Sequence, residues 1–201
     1  MRIAMLLLCL GTAACARGEE ARNDAAANTA VAAPAAAGSA ANSTQAAAPT
    51  PPAQQPVVRV TATGLEVAGQ RGAQTIAFGT PADETLRILT EAIGAPTGRG
   101  TNSECGAGAL DFADFRGGLD LLMQDGRFAG WGVTDGTQFR TTAGIGIGST
   151  RRELDAAYRT EVSESTLGHE FTAGEIGGLL NSAAPTGRVD ALWAGVTCHF
   201  R

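Results

Sequence analysis

Along residues 57–201 the spacing of apolar positions changes several times, and each change predicts an element. Alternation over 63–67 and over 73–78 predicts two short strands. Residues 81–93 then set Leu86, Leu89 and Ile93 on one face of a helix. Thr80 before Pro81, with Asp83 in the first turn, predicts how that helix starts: the hydroxyl caps orphan amides, and proline takes a position that needs no N–H. Gly94 and Pro96 predict its end. A strand over 109–115 follows, then a hairpin over 119–133 turning at Asp125-Gly126, one of the stronger short-range turn signals.

The second half predicts a strand over 144–147, a helix over 151–160 burying Leu154, Ala157 and Tyr158, and strands near 170–172, 178–181 and 189–200. Its entry is the stretch Thr142-Ala143-Gly144-Ile145-Gly146-Ile147-Gly148-Ser149-Thr150, which has the look of a phosphate loop. A Walker loop needs Gly-Lys-Ser/Thr, and lysine is absent from the whole chain. A dinucleotide fingerprint needs G-x-G-x-x-G, whereas Gly144, Gly146 and Gly148 recur at period two, the period of a strand. Thr150-Arg151-Arg152-Glu153 matches a capping box. The stretch is therefore expected to be a strand running into a capped helix.

The two halves share an order of motifs. Thr75-Ile76-Ala77-Phe78-Gly79-Thr80-Pro81 matches 144–150, Gly117-Gly118-Leu119 matches Gly177-Gly178-Leu179, Gly126-Arg127-Phe128 matches Gly187-Arg188-Val189, and Trp131 matches Trp193. The offsets are 69, 60, 61 and 62 residues. The expected fold class is α+β: a tandem repeat of one helix packed on antiparallel strands, with repeats at about 63–133 and 142–201 inside a single domain spanning 57–201.

Ahead of that domain the composition changes twice. Met1-Arg2, an apolar run over 3–10 and the small residues up to Cys15 read as an export signal, since eight apolar residues fall short of the roughly twenty needed to cross a bilayer. Thr12-Ala13-Ala14-Cys15 resembles a bacterial lipobox, which would leave Cys15 acylated; Ala14-Cys15-Ala16 also fits ordinary signal-peptidase cleavage. Residues 16–56 read as a disordered Ala/Pro-rich tether, with no charged residue over 25–56. The expected address is the periplasm or the outer membrane, with secretion as the alternative, and the only expected membrane contact is a lipid anchor at Cys15.

Charge and cysteine usage narrow the chemistry. The net charge of −5 and the lack of a basic cluster argue against nucleic acid. Without lysine there is no Walker lysine, Schiff base or Ser–Lys dyad. Cys9 leaves with the signal, so the folded region keeps Cys105 and Cys198, which an oxidising compartment would join as a disulfide; two free buried thiols are the alternative. His169 and His199 lack partners at metal-ligand spacing, so no metal or cofactor is expected. Glu104, Asp111 and Asp114 flank Cys105 as candidate acids, Ser149 sits at a helix cap rather than in a G-x-S-x-G elbow, and no catalytic set emerges. Trp131 and Trp193, at matching positions, are the best hint of an interaction surface.

The short strand ending Ile-x-Ile/Phe-Gly-Ser/Thr, the capped helix and the hairpin with Gly-Arg-Val/Phe resemble secreted bacterial proteins and lipoproteins and, more distantly, β-lactamase-inhibitor-protein-like domains and small lipoproteins of outer-membrane assembly. That resemblance, over 75–193, implies non-catalytic protein binding by a sheet surface. Three functions follow as expectations: an envelope-tethered, non-enzymatic binding module with an envelope protein as partner; a small periplasmic hydrolase or ligand-binding domain using the acids near Cys105; and a purely structural envelope protein.

Overall fold

The computed structural model describes residues 56–69 and 72–198; the expected signal with Cys15, the tether before Pro56 and His199 lie outside the described residues. The chain runs through β1 (Val57–Thr61), β2 (Gly64–Gly69), β3 (Gly72–Ala77), α1 (Ala82–Ile93), β4 (Gly98–Asn102), β5 (Leu110–Phe115), β6 (Leu119–Gln124), β7 (Arg127–Val133) and β8 (Arg140–Thr141). It continues through α2 (Arg151–Ala157), β9 (Glu161–Ser165), β10 (Gly168–Ala173), β11 (Ile176–Leu180) and β12 (Val189–Gly195). One sheet has the order β3-β2-β1-β8, and the other has the order β4-β5-β6-β7-β12-β11-β10-β9.

This overturns the expected α+β tandem helix-plus-sheet repeat. The described residues are mostly β, with 50% strand and 13% helix. The strands expected over 63–67 and 73–78 are β2 and β3, but they form a separate four-stranded sheet with β1 and, in parallel, the two-residue β8. The expected strand at 144–147 is a loop. Gly144 and Gly148 hold φ near 83° and 82°, left-handed values that break an extended run, and only Gly146 makes a bridge, to Arg140. The α2 helix ends at Ala157 and buries Leu154 alone, and the last strand stops at Gly195 instead of running to residue 200.

Local chemistry explains the elements that do form. Asp125 and Gly126 both take positive φ, as a tight β6–β7 turn requires. The N-cap of α1 is Pro81, and it has no side-chain cap: the Thr80 hydroxyl donates back to Ala77 O at 2.7 Å instead. At α2 the capping box is complete, Glu153 N donating to Thr150 Oγ1 at 3.2 Å and Thr150 N to Glu153 Oε2 at 2.7 Å. Those contacts, with Arg188 and Arg140 nearby, hold the Glu153 carboxyl below its usual pKa. Thr150→Ala is expected to cost about 1 kcal/mol in urea unfolding, because it orphans an amide at the start of a helix too short to hold itself.

A local arrangement recurs at the entries to the two helices. Gly79 N donates to Phe128 O at 2.7 Å and Gly148 N to Val189 O at 2.8 Å. The Arg127 guanidinium reaches back to Gly79 O at 2.8 Å, and that of Arg188 to Gly148 O at 2.7 Å. Each Gly-Arg pair thus clamps one turn that precedes a helix.

One face of the eight-stranded sheet carries the core. Strand β6 shows how the alternation works: Leu119, Leu121 and Met123 are buried, while Asp120, Leu122 and Gln124 point the other way. Trp131, Val133, Leu192, Ala194, Ile176 and Phe171 continue the inner face across β7, β12, β11 and β10. Val58, Val60, Leu65, Val67 and Ile76 of the small sheet, Leu86, Ile88 and Leu89 of α1, and Leu154 of α2 pack into the same cluster.

Candidate functional site

The other face of the large sheet is where the candidate chemistry collects. Register partners run unbroken across all eight strands as Gly98, Asp114, Asp120, Gly132, Trp193, Gly177, Thr172 and Glu161. Beside this row stand Phe112, Leu122 and Leu179, half-buried, and none of the three belongs to the core cluster. Glycine makes the floor flat. A Cβ on Gly100 would meet the Phe112 ring at 2.6 Å and one on Gly177 would meet the Trp193 indole at 2.4 Å, so both aromatics lie down over bare backbone.

Asp114 and Asp120 face each other directly across β5 and β6. Like charges in that position repel, which disfavours the ionised form of Asp120. Burial, then the hydrogen bond and charge of Asp114, push Asp120 up to about 6. The folded state therefore binds the Asp120 proton more tightly than the unfolded chain does, and this group's contribution to stability is lost as pH rises from about 4 to about 6. Asp120→Asn removes the penalty. It is expected to stabilise the protein at pH 7 by about 1 kcal/mol, well below the unscreened conversion because the carboxyl is half exposed, and the gain should vanish below about pH 4. Urea midpoints of both proteins between pH 3.5 and 7.5 check this.

The two tryptophans divide between the faces. Trp131 is fully buried on the core face, where its indole N–H donates to Thr61 O at 2.8 Å. Trp193 is on the outer face, 9% exposed. A shared surface built from both is not what the fold provides. Cys105 and Cys198 come together over the outer face: hydrogen bonding between the thiols and burial raise the Cys198 pKa, and Asn102 Nδ2 donates to Cys198 Sγ at 3.5 Å. Both are free thiols in this structure.

The remaining candidates do not converge. Glu104 is exposed in the β4–β5 loop, Asp111 accepts from Thr101 Oγ1 at 2.6 Å, and Asp114 faces the opposite side from Asp111. His169 is on β10, five strand spacings from β5, or about 24 Å. It lies 3.7 Å from Glu164. Ser149 Oγ accepts from Gly146 N at 3.1 Å and from Arg140 at 3.4 Å, so its hydroxyl is occupied in closing the glycine loop. Among the described residues no three His, Cys, Asp or Glu side chains group around a metal position, and no helix is long and apolar enough to cross a membrane.

Sequence reasoning missed Asp120, Phe112, Leu122 and Leu179. A signal for the first was present: Gly117 and Gly118, both at positive φ, turn β5 into β6 with Phe115 opposite Leu119, which puts Asp114 opposite Asp120. No family model, curated protein or solved structure matches this chain.

Proposed function

We propose that this protein is an exported, envelope-tethered, non-enzymatic binding module that takes a partner protein on the outer face of its eight-stranded sheet. The observation that carries this reading is the set of half-exposed apolar side chains, Phe112, Leu122 and Leu179, left outside the core on a flat floor of glycine. Charge defines the partner. The row beside those side chains carries Asp114, Asp120 and Glu161, and the chain as a whole has a net charge of −5. The fitting surface is an apolar patch edged with arginine or lysine, whose charges speed encounter and set orientation while burial of the apolar centre supplies affinity.

The test uses a photo-crosslinking residue placed in the full chain at Leu122, on the outer face, or at Arg87, exposed on α1. In envelope extracts the Leu122 position should give one discrete adduct that weakens with added salt and is lost in a Leu179→Arg variant, while the Arg87 position gives none. Equal labelling from both positions, or adducts indifferent to Leu179→Arg, would overturn the proposal.

A further inference from the structure

We propose that Cys105 and Cys198 form a redox latch: joined, they pin residues 196–198 across the outer face of the large sheet, and parted, they let that segment lift away. The consequence for binding rests on the function proposed above; the latch itself does not.

The chain path supplies the argument. Strand β12 is near the middle of the sheet, and β4 is at its edge, four strand spacings or about 19 Å away. Residues 196–198 reach at most about 10 Å when extended, so the β4–β5 connection must come inward to meet them. It does: Gln124 Nε2 on β6 donates to Ala107 O at 2.6 Å, which draws the loop over the face. From the other side Gly195, at φ 77°, turns the chain out of β12, and Val196 N donates to Ala129 O at 2.9 Å. Val196 O then passes so close over Gly130 that a Cβ there would lie 2.0 Å from it. Gly130 is the register partner of Leu122, and Leu122 that of Phe112, so the crossing segment runs beside two of the three apolar side chains assigned to the partner.

Burial on this face marks what the two segments cover. Leu110 is 1%, Cys105 7% and Trp193 9% exposed, yet none of the three belongs to the core cluster. Sulfur supplies most of the fastening between the segments: Cys105 Sγ is 4.0 Å from Thr197 O, and Asn102 Nδ2 is 3.5 Å from Cys198 Sγ. Sulfur is a weak hydrogen-bonding partner, so the dithiol form, closed in this structure, opens more readily than the linked one.

The oxidant is an external disulfide, such as that of a thiol oxidase or oxidised glutathione. The Cys198 thiolate, on the more exposed side chain, attacks one sulfur of that disulfide and expels the other as a thiolate, giving a mixed disulfide. The Cys105 thiolate then attacks Cys198 Sγ and releases the second external thiol. The protein gives up two electrons and two protons, and the external disulfide takes up both.

The full chain, equilibrated with oxidised glutathione or with dithiothreitol, tests the latch. Peptide mapping should show a Cys105–Cys198 link in the oxidised sample alone. Acrylamide quenching of Trp193, taken as the difference between wild type and Trp193→Phe, should fall severalfold on oxidation, recover with dithiothreitol and stay unchanged in Cys105→Ser. Failure to form that link, or a link that leaves Trp193 equally quenchable, overturns the latch. Crosslinking from Leu122 in both redox states separates the two proposals: a quenching change without any adduct keeps the latch and removes the binding function, whereas equal adduct yields in both states remove the latch's control of it.

Discussion

Replacing Trp131 with alanine is expected to cost about 3–5 kcal/mol of unfolding free energy, enough to consume much of the stability of a domain this size. The indole is fully buried at the centre of the cluster that the large sheet shares with the small sheet and both helices. It also ties the sheets by a polar contact, its N–H donating to Thr61 O at the end of β1. Trp131→Phe separates the two contributions. It keeps most of the apolar volume and orphans a carbonyl, so about 1–3 kcal/mol should remain lost. Trp193→Ala, outside the core cluster, should cost less than Trp131→Ala. Urea titrations followed by circular dichroism measure all three without relying on the fluorophore being removed. Equal losses for Trp131→Ala and Trp193→Ala would contradict the division of the two residues between faces.

That division shows what a pattern of residues conveys and what it withholds. Trp131 and Trp193 match in motif order, and from this they read as equivalent. The β7–β12 register pairs Trp131 with Ala194 and Trp193 with Gly132, a slip of one residue, and in a strand one residue is one face. Pairing between strands some sixty residues apart leaves no trace in local periodicity. The glycine loop misled for a related reason: period-two spacing at Gly144, Gly146 and Gly148 fits a strand, but spacing says nothing of φ, and two of the three are left-handed. Edge strands β4 and β9 were missed because Gly-Arg-Gly-Thr-Asn and Glu-Val-Ser-Glu-Ser, exposed along most of their length, carry no alternation to read. Where the chemistry is confined to a few neighbours the residues were legible: the Asp125-Gly126 turn and the Thr150 capping box both form as their side chains dictate. The candidate site was half legible on the same grounds. Cys105, Cys198 and Trp193 stood out as rare residues, while Phe112, Leu122 and Leu179 became distinctive only once the fold showed which apolar residues the core leaves out.

The second large effect concerns the cysteines. Closing the Cys105–Cys198 bond in the full chain should raise the unfolding free energy by about 4 kcal/mol, the chain-entropy value for a loop of 93 residues. Two features argue that little of this is returned as strain. Each thiol already sits against the other's segment in the reduced fold, Cys198 Sγ 3.5 Å from Asn102 Nδ2 and Cys105 Sγ 4.0 Å from Thr197 O, and Val196 N holds the crossing to Ala129 O on β7 without the bond. The gain acts on the unfolded chain, whose freedom the cross-link removes, so it should appear as a higher urea midpoint that dithiothreitol abolishes. Cys105→Ser should resemble the reduced wild type and gain nothing from oxidant. The pH behaviour adds a check on mechanism. Contact with Cys105 raises the Cys198 pKa, which lowers the thiolate fraction at neutral pH and slows exchange; bond formation should therefore accelerate as pH climbs past 8, with the final stability gain unchanged. A midpoint that fails to move on oxidation, with the link verified by peptide mapping, would mean that the bond strains the native fold by as much as it restricts the unfolded one, and the crossing segment would have to shift to accommodate it.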